Sequence, residues 1–356
     1  MKFFFLQPGF LLLTLVSGMS AVADDIGTVI VTRDLAEVKV EGNVVGYLGI
    51  GTPVWATKFS EDQKWAWVKI PGKQQFGWLK SNDAKNFEAS LRDQDTWQQV
   101  LVQNQVALDK QNAGQHEESR TAAQKALDLA ESVLPRFHPE LSTTHSVLAS
   151  AHENLEDYEN ARRHYEAVLL NLRHFKGTDH FDTHNCYVIV ANTLSKEGRI
   201  GLACDYYRVG IAGFRSQSQV PSRKVQRRYV ECLRLAERHM LAVAEAERLI
   251  AMFGRDSEGT VEYRQALFLH SQSLLLAGEN AKAETTIRRL LAMQTADDNV
   301  SDELLAQTTN SLAISLIRQE KHAEAESVLR KALEFEELPQ QVLAAINCNV
   351  SLTLAM

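Results

Sequence analysis

The fold is decided by two stretches that align with each other, NLEDYENARRHYEAVL (residues 154–169) and LSKEGRIGLACDYYRVGI (residues 194–211). Ala161 aligns with Ala203, 42 residues later, and the tyrosine four residues further on recurs at the same interval. In both stretches the apolar residues have the spacing of one helix face. A small and a large apolar residue that return together indicate an internal repeat.

The interval of 42 residues continues on both sides of this pair. Turn-forming glycines recur at Gly114, Gly198 and Gly278, and a weaker copy separates the third unit from the fifth. The pattern predicts about six helix–turn–helix units and one further, final helix over residues 97–356. Because each unit has an apolar face that it cannot bury alone, neighbouring units must stack into an all-α solenoid.

Small residues recur where the two helices of each unit are expected to cross. A bulky side chain there would force the helices apart, at a typical cost of about 1–3 kcal/mol. The fourth unit departs from the pattern, because Arg234 stands where a small residue is expected. The crossing residues are Ala149, Ala191, Ser271 and Ala313 on first helices, and Ala161, Ala203, Ala283 and Ala325 on second helices.

The repeat resembles the tetratricopeptide repeat, in the longer variety found in kinesin light chains. The family motif places H-P and then L-A before G-x-x-x-x-A-E and a closing A-L. The chain departs from it at Glu156 and Glu320, which replace the turn glycine. The resemblance implies a right-handed superhelix of helix hairpins. The matching residues are His138, Pro139, Leu148 and Ala149, then Gly278, Ala283 and Glu284, then Leu312, Ala313, Ala325, Glu326, Ala332 and Leu333.

The same resemblance implies a concave groove, lined by first helices, that receives a segment of a partner protein. Asparagine and glutamine dominate the corresponding positions here, and each amide offers both a donor and an acceptor to a bound backbone. A polar groove of this kind suits an extended or helical partner segment. The predicted groove residues are Asn104, Gln111, Asn112, Ser146, Ser150, Glu153, Asn154, Asn185, Val188, Asn192, Ser195, Lys196, Phe268, Gln272, Asn310 and Ile314.

Residues 26–86 have a different pattern, in which short β-branched and aromatic runs alternate with turn signals. Five or six strands of this length suggest a small antiparallel barrel. In the run WAWVKI, Trp65 and Trp67 share one face, and Ala66 and Val68 share the other. We interpret the tryptophans mainly as core residues, because a small barrel needs large apolar side chains.

This region resembles bacterial SH3-like (SH3b) domains, whose members in exported proteins often bind cell-wall material or another protein. The peptide groove of eukaryotic SH3 domains is not evident, so binding of proline-rich peptides is not implied. The residues that carry the resemblance are Ala36, Val38, Gly51, Pro53, Val54, Trp67, Val68, Lys69, Gly77, Trp78 and Leu79.

The first 23 residues have the order of a secretory signal peptide. Lys2 precedes an apolar run, and Ala21-Val22-Ala23 supplies a cleavage site, so we expect export to the periplasm or beyond the cell. The apolar run is short for a stable membrane span. Residues 87–96 are the predicted linker between the two domains. The net charge of -7 gives no reason to expect a nucleic-acid partner.

The stretch HFDTH, which spans His180 and His184, could be a metal site, since its two histidines would share one helix face. However, His180 lies 42 residues after His138, and this spacing makes it a repeat boundary instead. Seven histidines crowd the second and third units, where His145 and His152 could also share a face. A metal-dependent enzyme that uses these histidines is therefore a minor alternative.

The sequence contains no nucleophile elbow, P-loop, zinc-protease or dinucleotide motif, so we predict no catalytic residues and no cofactor. Its four cysteines lie in apolar helical patterns typical of buried free thiols, and Cys204–Cys232 is the one pairing considered. We therefore predict an exported, non-catalytic scaffold that holds a protein or peptide segment in its helical groove, with the barrel as a second contact. The principal alternative is a protein that binds cell-wall peptidoglycan through the SH3-like domain.

Overall fold

The computed structural model describes residues 27–86, 94–134, 138–254, 257, 259–297, 299–335 and 338–355. The predicted signal peptide, residues 1–23, and residues 87–93 of the predicted linker lie outside this set. The chain forms two compact units, of which the first ends at Gln219 and the second begins at Val220.

The first unit begins with a seven-stranded sheet in which every recorded pairing is antiparallel. We refer to residues 27–86 as the β-domain. Its strand order is β3-β2-β6-β5-β4-β1-β7, so β3 and β7 are the two edges. The strands are β1 (Gly27–Val31), β2 (Ala36–Val40), β3 (Asn43–Leu48), β4 (Pro53–Phe59), β5 (Trp65–Lys69), β6 (Phe76–Lys80) and β7 (Ala84–Asn86).

One face of the sheet encloses a core of small aliphatic residues, among them Val38 and Leu79. Gly77 is needed there, because a Cβ at this position would overlap the Val38 side chain. Trp67 and Trp78 differ from the sequence interpretation, since they lie half-buried on the opposite, outer face. The alternation in β5 and β6 fills the inner face with alanine, valine, leucine and glycine, and this leaves the rings outside.

Six helices follow in the first unit and form three hairpins, in which each helix packs against the next. They are α1 (Gln94–Asn112), α2 (His116–Val133), α3 (Leu141–Asn154), α4 (Tyr158–Phe175), α5 (Phe181–Lys196) and α6 (Ile200–Ser216). Helix α1 thus begins inside the predicted linker, at Gln94.

The second unit contains three further hairpins and a final helix among its described residues. They are α7 (Arg223–Leu235), α8 (His239–Ala251), α9 (Val261–Leu276), α10 (Asn280–Thr295), α11 (Asp302–Ile317), α12 (His322–Ala332) and α13 (Gln340–Ala355). The predicted fold class, an all-β sheet followed by stacked tetratricopeptide-type hairpins, is confirmed. No helix in the described part of the chain is both long and apolar enough for a membrane crossing.

Every hairpin turn contains one residue in the left-handed region, where φ lies between 58° and 83°. The N–H of the next residue then bonds to the carbonyl five positions earlier, as in Gln115 to Lys110 and Arg199 to Leu194. This arrangement satisfies carbonyl groups that the helix end leaves free. The turn residues are Gly114, Glu156, Gly198, Glu237, Gly278 and Glu320, so glutamate adopts the glycine conformation in three turns and the fourth unit keeps a regular turn.

The predicted crossing residues are completely buried, as the repeat pattern requires. All eight of them, from Ala149 to Ala325, have 0 % exposure. Ala246 in the weaker fourth unit is equally buried. The small side chains therefore let first and second helices approach closely in both units.

Candidate functional site

The candidate site residues lie on first helices, which are α1, α3 and α5 in the first unit and, separately, α9 and α11 in the second. The predicted groove residues fall into two groups on these helices. Asn112 and Lys196 are exposed, and eight others are half-buried. The buried group consists of Asn104, Gln111, Ser146, Ser150, Glu153 and Val188.

The buried amides of α1 bond to the next first helix. Asn104 Nδ2 donates to Thr144 Oγ1 at 3.0 Å, and Gln111 Nε2 donates to Ser150 Oγ at 2.9 Å. These two bonds, which begin seven residues apart on α1, join α1 to α3. We refer to such bonds between first helices as rungs.

The second unit contains rungs of the same chemistry. Gln272 Nε2 donates to Ser311 Oγ at 2.9 Å, and Asn349 Nδ2 donates to Asn310 Oδ1 at 2.8 Å. In the rungs the two partners are 39 or 40 residues apart. The sequence analysis did not predict Thr144, Ser311 and Asn349. An amide residue followed by a polar residue 39 or 40 positions later could have indicated them.

A charged network around Glu153 joins the helices α3, α4 and α5. Glu153 is buried and accepts bonds from Lys196 Nζ at 2.7 Å and from the Tyr165 hydroxyl at 3.2 Å. Burial, together with the Glu153 carboxylate, raises the pKa of Tyr165 well above its ordinary value, so the phenol remains a donor. Glu153 therefore links α3, α4 and α5 and is already engaged within the protein.

Three predicted groove residues keep unused hydrogen-bonding groups. The side chains of Asn112, Asn154 and Asn185 make no hydrogen bond within the described chain. Asn112, Asn154 and Lys196 occupy equivalent positions, 42 residues apart, near the C-terminal ends of α1, α3 and α5. We refer to these three residues as the polar column.

Alanine substitutions of the adjacent residues Gln111 and Asn112 should differ in their effect on stability, because the first residue forms a rung and the second belongs to the polar column. Gln111→Ala should lower the free energy of unfolding by about 1–2 kcal/mol, because it removes a buried hydrogen bond and leaves a cavity. Asn112→Ala should change it by less than about 0.5 kcal/mol, because the residue is exposed. Urea unfolding of both variants checks the difference; equal losses would contradict the assignment of Gln111 as a rung.

The HFDTH stretch is the start of α5, as the repeat spacing predicted. His180 Nδ1 accepts the N–H of Asp182 at 3.1 Å, and His138 Nδ1 accepts the N–H of Glu140 at 3.2 Å. Each histidine thus accepts the N–H two residues later, 42 residues apart, and His180 is the N-cap residue of α5. Buried His184 points into the gap between α5 and α6, where its ring contacts Phe214 edge-on.

Three other histidines form a stack between α3 and α4. The ring of His164 lies between those of His145 and His152, with centroid distances of 5.3 and 5.7 Å. His145 Nδ1 and His164 Nδ1 are 3.2 Å apart, and Asp157 binds His152 Nδ1 at 2.9 Å. Burial lowers the pKa of His145 and of His164 to about 4. In the described part of the chain, no group of three or more ligating side chains is placed to hold a metal ion.

The cysteines offer no nucleophile in this surface. None of the four, all of which are described, forms a disulfide; Cys186, Cys204 and Cys232 are buried, whereas Cys348 is exposed. Burial raises the pKa of Cys186, which keeps its thiol protonated. A buried neutral thiol is chemically inert.

Two family models described as tetratricopeptide repeat match this chain, at residues 98–169 and at residues 305–337. These segments cover the first two hairpins and the α11–α12 hairpin, so the predicted tetratricopeptide repeats are confirmed. The resemblance of the β-domain to SH3-like domains stays a prediction. No curated protein matches the chain.

Solved structures similar to this chain are also repeat proteins. The C-terminal part of a repeat-containing protein from Cytophaga hutchinsonii superposes with a TM-score of 0.51 at 10 % identity, covering 69 % of this chain and 87 % of that one. A tetratricopeptide repeat protein from Parabacteroides merdae gives 0.50 at 13 % identity, with coverage of 72 % and 88 %. Kinesin-light-chain repeats from Podosopora anserina give 0.48 at 16 % identity, with coverage of 56 % and 97 %. At these identities the similarity concerns the fold.

Proposed function

We propose that the protein is an exported, non-catalytic scaffold that holds a segment of a partner protein against the first helices of its first unit. The observation that carries this proposal is the polar column. Rungs hold α1 and α3 together, and the Glu153–Lys196 bond holds α3 to α5, so the binding surface is organised before a partner arrives. Preorganisation lowers the entropic cost of association.

The chemistry of the column suits a polypeptide backbone. Asn112 and Asn154 each offer an amide donor and an acceptor, and neither is used within the described chain. Lys196 adds a positively charged group at the end of the column, and this group also forms an ion pair with Glu153. The partner segment therefore binds mainly through its backbone, with weak dependence on its side chains.

The β-domain supplies a second contact in this proposal. Two modest contacts on one chain give stronger attachment than either contact alone. Export rests on the sequence of residues 1–23. Attachment to cell-wall material is a second candidate for the β-domain, and the tryptophans on its outer face favour it.

The test is site-specific photo-cross-linking on the chain recovered from the exported fraction of its host, where its mass should correspond to a start after Ala23. A cross-linker at Asn154 should capture a co-purifying protein. The same group at Gln124, an exposed amide residue on the second helix α2, is the matched control and should capture none.

A double variant completes the experiment. Asn112→Ala with Asn154→Ala should reduce recovery of the captured protein at least about fivefold, because both backbone-binding amides are lost. The fold should be unaffected, since neither side chain bonds within the described protein. Equal capture from positions 154 and 124, or undiminished recovery with the double variant, would show that the polar column is not the binding surface.

A further inference from the structure

Four aromatic rings lie together on the outer face of β5 and β6. We refer to Trp65, Trp67, Phe76 and Trp78 as the aromatic strip. All four are half-buried, so each ring presents part of its surface to solvent. The centroids of Trp67 and Trp78 are 5.0 Å apart, and Trp67 stacks nearly parallel to Phe76 at 6.4 Å.

Strand register places lysines on both sides of the strip. Trp67 pairs with Lys58 of β4 and with Trp78, which in turn pairs with Lys39 of β2. Lys80 pairs with Trp65 in the next row. In one row two tryptophans therefore lie between two lysines, and in the next row Trp65 lies beside Lys80.

Two of these lysines lie over the rings without a direct ion pair, and Glu37 of the neighbouring strand β2 acts on Lys80 only at longer range. Lys58 Nζ is 5.8 Å from the Trp67 ring centroid and 5.7 Å from that of Trp78, and Lys80 Nζ is 5.7 Å from that of Trp65. Neither has a carboxylate within 4 Å among the described residues, whereas Lys39 is paired with Glu37 at 2.7 Å. Cation–π contacts at exposed sites are weak, so both ammonium groups are available to an anion.

The helices of the first unit contact other parts of the β-domain. Lys176, at the end of α4, lies 3.9 Å from the ring centroid of Trp55, and Ile30 packs against the core of α1 to α3. At one end of the strip, Lys69 is buried beside Gly177 and lies over Phe76. The helices thus approach the Phe76 end, while the three tryptophans with Lys58 and Lys80 remain accessible.

We propose that the aromatic strip binds an anionic polysaccharide. Indole rings stack on the apolar C–H faces of sugar rings, and Lys58 and Lys80 move from the rings to the sugar carboxylates. The strip offers flat rings and cations, while the aliphatic side chains of β5 and β6 lie in the core on the other face. This inference rests on the β-domain contact of the proposed function and is independent of the polar column.

The test is isothermal titration calorimetry of the full chain with polygalacturonate. Its methyl-ester has the same sugar backbone without the charge, and poly-glutamate has the charge without the sugars. Polygalacturonate should bind, and added salt should weaken the interaction. The methyl-ester and poly-glutamate should each bind at least about tenfold more weakly than polygalacturonate.

Two variants locate the site. Trp67→Ala, and separately Lys58→Gln with Lys80→Gln, should each weaken binding about tenfold. Tyr47→Ala is the matched control, because Tyr47 is 59 % exposed on β3, outside the strip. It should bind like the wild type. If Trp67→Ala does not fold, the double lysine variant still tests the site. Both lysines are exposed, so their substitution should not disturb the fold.

The proposal is overturned by absence of binding, by wild-type affinity in the lysine variant, or by equal loss in Tyr47→Ala. Poly-glutamate binding as tightly as polygalacturonate overturns it in favour of an acidic polypeptide. None of these outcomes bears on cross-linking at Asn154, so failure of this inference is distinguishable from failure of the proposed scaffold function.

Discussion

Gly213→Ala should destabilise the first unit by about 2–3 kcal/mol, although alanine is the better helix former. Gly213 faces the buried His184 ring in the gap between α5 and α6, and a Cβ at this position would overlap the imidazole. The ring cannot move freely, because it packs edge-on against Phe214. Urea unfolding of the purified chain measures the loss.

Three further variants isolate the cause. Gly201→Ala on the same helix should be neutral or stabilising by up to about 1 kcal/mol, because nothing lies within 4 Å of its added Cβ. His184→Ala should remove most of the penalty of Gly213→Ala, since the overlapping ring is gone. It should not rescue Gly210→Ala, whose Cβ would lie 2.8 Å from the backbone carbonyl oxygen of His184. Full additivity of Gly213→Ala and His184→Ala would contradict this explanation.

Acid should destabilise the first unit between about pH 6.5 and pH 4. Burial lowers the pKa of His138, His145 and His164 to about 4 in the folded chain. The unfolded chain takes up a proton near pH 6.5, so each histidine favours unfolding as the pH falls through this window, and the loss is complete at about pH 4. One such histidine contributes at most about 3.5 kcal/mol, and the coupled pair less than twice that.

The stack also explains why protonation is unfavourable. His145 and His164 face each other through Nδ1 atoms at 3.2 Å, an arrangement that requires at least one nitrogen without a proton. The positive charge of Arg163 also disfavours protonation of His164, and Asp157 opposes it. Hydrogen exchange of the α3 and α4 amides, measured against pH, reports this region.

Histidine substitutions provide the control for the acid effect. His145→Phe with His164→Phe should reduce the pH dependence between pH 6.5 and pH 4, because a neutral ring replaces two of the titrating ones, while His138 still contributes. His322→Phe on α12, in the second unit, should leave it unchanged. Glu284 does not interfere, because its lysine partner Lys321 holds its pKa at about 2 and its contribution is lost only below about pH 4.5. An unaltered slope in the double variant would refute the role of the stack.

The sequence alone was enough to predict the repeats. Alanine recurs at the same interval, at Ala161 and Ala203, because the two helices of every hairpin cross in the same way. Each crossing therefore requires a small residue at the equivalent position. The same logic identified His180 as part of a repeat boundary, since it lies one interval after His138. It also placed the strands within residues 26–86, where alternation and turn residues recur.

Only the tertiary structure decided which polar residues are available. Gln111 and Asn112 are adjacent amides in the sequence, yet one bonds to Ser150 of the next first helix and the other bonds to no residue described. Likewise, alternation in β5 separates Trp67 from Val68 without saying which of them faces the core. A local pattern defines two faces of an element, but which face is buried depends on the distant segment that packs against it.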